Sequence, residues 1–68
     1  MISILNLRAK FNMSQTELGK LLNVSRFTVA NWEKGLTEPS ASKIQRLAVV
    51  FNTTPSEVLD AVLNSRKK

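Results

Sequence analysis

Gln15–Lys34, QTELGKLLNVSRFTVANWEK, is the stretch whose reading decides the fold. Ser14, just before it, is followed three residues later by Glu17. That spacing makes a capping box, in which each residue's side chain satisfies a backbone N–H of the other. Leu18, Leu21 and Leu22 then repeat at i, i+3 and i+4, which puts one apolar stripe on a helix. Asn23 follows the last apolar residue, and asparagine tolerates the left-handed conformation that ends a helix. Ser25 is placed to cap a second helix, in which Val29 and Trp32 face inward and Gly35 marks the stop. So short a connection forces the two helices to cross at a steep angle.

That is the geometry of the helix-turn-helix, whose second helix enters the major groove of DNA. Gln15, Leu18, the small Gly19, Leu22, Asn23, Val24, Val29 and Trp32 carry a specific resemblance. In these residues the chain resembles the phage repressor and Cro-like (Xre-type) helix-turn-helix family. The family wants a small residue where the helices cross most closely, and Gly19 fits. The resemblance continues outward through Leu7-Arg8, Trp32-Glu33-Lys34-Gly35, Pro39-Ser40 and Thr54-Pro55-Ser56-Glu57, so it covers nearly the whole chain. It implies an all-α fold, a compact five-helix lambda-repressor-like DNA-binding domain whose helix-turn-helix is formed by helices 2 and 3. The domain is expected over residues 1–64, with 65–68 as a frayed basic tail.

Composition agrees with that class. Sixty-eight residues allow one small domain. A core of this size is marginal, so compact helix packing or oligomerisation must help. There is no cysteine, hence no disulfide and no thiolate metal site. No apolar run approaches the roughly 20 residues of a membrane span, and the N-terminus lacks the basic flank and cleavage site of a signal peptide. The expectation is a cytoplasmic protein of the bacterial or phage-host nucleoid with no membrane partner. Ten Lys/Arg against five Asp/Glu give a net charge of +5, which favours a polyanionic partner.

Along the rest of the chain, Ile4, Leu7, Arg8 and Phe11 keep a helical rhythm, predicting a first helix that ends near Phe11. Arg8 falls on the inward edge of that stripe. The resemblance implies that it pairs with Glu33, the glutamate after the core aromatic, in a partly buried ion pair. Asn12, Asn23 and Asn52 each stand at a helix exit and are expected to take positive φ. Leu36–Ser40 is a loop, with Pro39 excluding helix and Ser40 able to cap. Ile44, Leu47, Ala48 and Phe51 mark a fourth helix from about Ala41 to Phe51. Thr54-Pro55-Ser56-Glu57 is a start signal, with Pro55 at the first helical position and Glu57 closing a capping box. The last helix is expected to reach about Leu63. It carries Val58, Leu59, Val62 and Leu63, more apolar surface than one small core covers.

By family position the base edges fall to Ser25, Arg26, Phe27, Thr28 and Asn31, with Lys34 further along. Arg26 has the planar fork that bonds O6 and N7 of guanine together, and Asn31 can bond N6 and N7 of adenine. Phe27 either covers a thymine methyl or folds back on the core; Thr28 suits a base methyl or a phosphate. Phosphate contacts are expected from Ser14, Gln15, Ser25, Lys34, Thr37 and Lys43, which orient the protein without reading sequence. For Lys43 a purely solvated role is an equal alternative. Gln15 opens a helix whose free N–H groups and dipole favour an anion. Arg46, Arg66, Lys67 and Lys68 are expected to be solvated or only weakly attracted to DNA.

Enzymatic function is not expected. The chain has no histidine or cysteine, no glycine-rich phosphate loop, and no acid pair free of structural duties. No cofactor, metal or small-molecule ligand is implied. The best reading is a Cro-like or small phage or plasmid repressor of double-stranded DNA. Because one such domain covers too few base pairs for selectivity, a weak homodimer strengthened on DNA is expected. Leu59, Val62 and Leu63 are its candidate interface. The alternatives are a restriction–modification controller protein, or a protein-binding module of the same fold such as an antitoxin. An antitoxin usually has an added segment, whereas five residues follow Leu63.

Overall fold

The computed structural model describes residues 2–66, which form five α-helices and no strand. These are α1 (Ile4–Lys10), α2 (Gln15–Leu22), α3 (Arg26–Lys34), α4 (Ala41–Val50) and α5 (Pro55–Arg66). The all-α, five-helix expectation therefore holds, with α2 and α3 as the motif. None of the described helices is long and apolar enough to cross a membrane.

Local chemistry sets the helix starts. The Ser14 hydroxyl accepts from the Glu17 N–H while the Glu17 carboxylate accepts from the Ser14 N–H, closing the capping box. Ser25 and Ser40 cap α3 and α4 through the N–H groups of Thr28 and Lys43. At α1 a Ser3–Asn6 box does the same, with Asn in the place usually held by Glu or Gln. At α5 the Thr54 hydroxyl accepts from the Glu57 N–H, but the Glu57 carboxylate takes the Thr53 hydroxyl. The capping box expected there is thus half made.

One device sets the exits of the first four helices. Asn12, Asn23 and Asn52 have φ of 56°, 60° and 54°, and Gly35 has φ of 76°. Beyond each, the next N–H reaches back five residues: Met13 to Arg8, Val24 to Gly19, Leu36 to Asn31 and Thr53 to Ala48. This is the Schellman closure, which satisfies carbonyls that a helix end leaves unpaired.

The core gathers Ile4, Leu18, Leu22, Val29, Trp32, Leu47, Ala48, Phe51, Val58, Ala61 and Val62. Two residues assigned to inward stripes lie at the edge instead. Leu21 is about half exposed because α2 buries Leu18, Gly19 and Leu22. Phe11, also exposed, leans on the Phe51 ring with centroids 5.6 Å apart. Two further expectations need correction on α5. Val62 is only 3% exposed and belongs to the core, whereas Leu59 and Leu63 are 47% and 50% exposed. The helix also runs past Leu63 to Arg66. Its end is held by tertiary bonds: the Ser65 hydroxyl accepts from the Ile4 N–H, and the Asn64 side chain donates to the Ile2 carbonyl. Lys67 and Lys68, the rest of the expected basic tail, lie outside the described residues.

Candidate DNA-recognition surface

The crossing of α2 and α3 depends on Gly19. A Cβ there would stand 2.6 Å from the Val24 carbonyl oxygen, so the turn can lie on α2 only because position 19 has no side chain. With the turn held, Val29 and Trp32 bury one side of α3. At about 100° per residue, Phe27, Asn31 and Lys34 then share the opposite side.

The first turn of α3 carries the candidate base-reading residues. Ser25 is the cap, and its hydroxyl also lies 3.3 Å from that of Thr28. Thr28 is accordingly half-buried against the cap, while Arg26 and Phe27 stand exposed. Phe27 does not fold back onto the core, as it is 65% exposed. Its ring lies under the Arg26 guanidinium, whose central carbon is 4.7 Å from the ring centroid. Residue order alone does not show this pairing of neighbours, which is a matter of rotamers. Asn31 is half-buried, and its carbonyl closes the end of the helix by accepting from Leu36.

A second cluster braces the motif from behind. Arg8 Nε lies 2.5 Å from Glu33 Oε2, and Arg8 Nη2 donates to Glu33 Oε1 at 3.2 Å. The third guanidinium nitrogen, Nη1, donates to the Met13 carbonyl at 2.8 Å, and Gln15 Nε2 donates to Glu33 Oε1 at 2.9 Å. The two charged side chains are 16% and 5% exposed. A bidentate pair with further hydrogen bonds to each partner, and no buried side-chain N or O atom left without a partner among the described residues, is the arrangement in which a buried charge is tolerated. It joins α1, the start of α2 and the end of α3. One N–H of the Gln15 side-chain amide is committed to this network, which leaves its second N–H and the backbone N–H to meet an anion.

The other phosphate candidates are more scattered. Ser14 is exposed at the start of α2, Lys34 and Thr37 flank the exit of α3, and Lys43 is half-buried in the first turn of α4. Two basic residues expected to be solvated have structural partners. Arg46 Nη2 donates to the Leu21 carbonyl at the end of α2, and Arg66 pairs with Glu38 at 2.6 Å. Since both members of the second pair are half exposed, it adds little stability. A groove between α1 and α5, lined by Phe11, Phe51, Glu57 and Asp60 among others, lies apart from the motif. Its acidic wall suits it poorly to phosphate.

Comparison with known proteins agrees with this geometry. A family profile described as Helix-turn-helix matches residues 4–58. Over 51 residues the chain is 43% identical to an uncharacterized HTH-type transcriptional regulator of Archaeoglobus fulgidus, covering 75% of this chain and 72% of that protein. Over 57 residues it is 30% identical to Repressor protein C2 of Salmonella phage P22, covering 84% of this chain and 26% of the repressor. Over 47 residues it is 36% identical to Antitoxin HigA-2 of Vibrio cholerae, covering 69% of this chain and 45% of the antitoxin. No solved structure matches the chain significantly. The profile takes in the capped α2, the tight turn and α3 together, and the chain belongs to the repressor- and Cro-type helix-turn-helix family of DNA-binding transcriptional regulators.

Proposed function

We propose that the chain is a sequence-specific repressor that binds a two-fold symmetric DNA operator as a homodimer, with α3 in the major groove. The observation that carries this reading is the first turn of α3. Arg26 and Phe27 stand out from the surface there and have no role in the core. A net charge of +5 supports a polyanionic partner. Repression, rather than activation, is favoured by the likeness to a phage repressor. In this reading Arg26 bonds a guanine, Asn31 an adenine, and Phe27 and Thr28 meet base methyl groups. Ser14, Ser25, Lys34, Thr37, Lys43 and the Gln15 N–H hold phosphates and so fix the docking angle.

Selection of tight binders from randomised duplex DNA at physiological salt tests the proposal. The expected result is a symmetric site with half-sites about 10–11 base pairs apart. On that site Arg26→Ala should cost about 1–3 kcal/mol, confined to one base position per half-site. Lys34→Ala should weaken all sequences alike and reduce the salt dependence by about one released ion per half-site. If Arg26→Ala instead weakened all sequences alike, its base-reading role would be wrong.

The dimer is assigned to Leu59 and Leu63, one turn apart on α5, with Val62 supporting them from inside. Leu63→Glu should leave the melting temperature nearly unchanged, because the side chain is half exposed. Sedimentation with operator DNA should then show one protomer per half-site fragment and no cooperative second binding. Cooperative binding by Leu63→Glu as strong as that of the unmodified chain would remove α5 from the interface. The likeness to an antitoxin supports a second reading, in which the exposed face of α3 or α5 binds a protein. No enriched DNA sequence, with binding that disappears as salt rises, would favour it.

A further inference from the structure

The geometry points to Arg26 and Phe27 acting as one reader of a two-base step, a guanine next to a thymine, with Phe27 as the positioning residue for Arg26. This rests on the DNA-binding reading above and adds to it what the first turn of α3 selects.

An arginine that bonds both O6 and N7 of guanine must lie in the plane of that base. The Phe27 ring faces the same guanidinium at 4.7 Å. Successive base pairs are stacked about 3.4 Å apart along the axis. A ring packed on one face of a guanidinium that is coplanar with one base pair is displaced toward the next, by a centroid distance of 4.7 Å against a base step of about 3.4 Å. What it meets there is the C5 side of the neighbouring pyrimidine in the major groove. A phenyl ring neither donates nor accepts a conventional hydrogen bond. It gains contact with a 5-methyl group, whereas the cytosine amino group would lose water without replacement. The ring remains 65% exposed with the guanidinium above it, so surface is left for that contact.

The same stack acts on Arg26. An exposed arginine is spread over many rotamers, and ordering it on DNA costs side-chain entropy. Holding the guanidinium over the ring before binding removes part of that cost. The attraction also strengthens as the groove excludes water. Both residues lie in one helical turn, adjacent to a capped N-terminus, so the stack is carried on a rigid element.

The test uses the selected operator and two base analogues. Replacing the guanine by 7-deazaguanine removes N7, and replacing the adjacent thymine by uracil removes the methyl. Unmodified protein should lose affinity with each analogue. In Phe27→Leu, which retains apolar bulk but no ring face, the penalty for 7-deazaguanine should shrink by roughly 3- to 30-fold. In Phe27→Tyr, which retains the ring, it should persist. Phe27→Ala should bind the thymine and uracil sites alike. Melting temperatures of all three variants should match the unmodified chain, since Phe27 is outside the core.

An unchanged 7-deazaguanine penalty in Phe27→Leu, or Tyr behaving as Leu, would overturn the positioning role. Equal binding of thymine and uracil sites by the unmodified protein would overturn the two-base step. In both cases the operator-binding function survives. Failure to enrich any site would instead remove that function, and this inference with it.

Discussion

Glu33→Ala is expected to lower the melting temperature by on the order of 15–30 °C. The carboxylate, 5% exposed, receives two bonds from Arg8 and one from Gln15. Removing it leaves a guanidinium at 16% exposure without its counter-ion. Breaking one side of a buried pair costs about 3–5 kcal/mol. In a domain of this size each kcal/mol moves the midpoint by about 4–8 °C. Much of that cost comes from the orphaned charge, which gives a second measurement. Arg8→Met combined with Glu33→Leu removes both charges and should recover part of the loss. Calorimetry on the three variants checks this. A double variant no more stable than Glu33→Ala would mean that packing, not the uncompensated charge, sets the cost. DNA binding should fall along with stability in Glu33→Ala, because the network holds the end of α3 to α1 and α2.

Gly19→Val is expected to damage the motif itself. Cβ alone would stand 2.6 Å from the Val24 oxygen and 3.3 Å from the Ser25 carbonyl carbon, both backbone atoms. No rotamer change can relieve such an overlap, so the turn must lift off α2. The bond from Val24 N–H to the Gly19 carbonyl, 2.8 Å long, would then stretch or break. Overpacking of this kind costs about 1–3 kcal/mol and occasionally more. Helix propensity alone predicts the opposite sign, since glycine is about 0.8–1 kcal/mol worse than alanine in a helix interior. The expected result is a lower melting temperature together with weaker operator binding measured well below the melting transition. A folded Gly19→Val protein with unchanged affinity would show that the α2–α3 crossing tolerates a wider angle.

How far the chain can be read without coordinates depends on the range of the forces involved. Ser14, Ser25, Ser40 and Thr54 cap helices through N–H groups three residues away, and Asn12, Asn23, Asn52 and Gly35 close them through groups at most five residues away. These are local interactions, so residue order and backbone sterics suffice to place four helix starts and four exits within a residue or two. The identity of the motif was legible for the same reason, since its spacing and its small residue lie within one short stretch. The Arg8–Glu33 pair became visible only through family resemblance, because nothing local joins residues 25 positions apart.

Other features were settled by packing. Leu21, Leu59 and Val62 all fit an apolar helical pattern, yet only Val62 is buried; the angle at which each helix meets its neighbours chooses among them. The continuation of α5 to Arg66 needs Ser65 beneath the Ile4 N–H and the helix lying against Gly35, contacts between segments far apart along the chain. The stack of Arg26 on Phe27 is a choice among rotamers that residue order does not make. The amino-acid sequence by itself thus determined where α2 to α5 begin, where α1 to α4 end and which family motif they build, because those choices rest on neighbours along the chain. Only the tertiary structure decided which apolar faces stay exposed, which charges are paired and how α3 presents its first turn. Those outcomes depend on close packing and desolvation between segments brought together by folding.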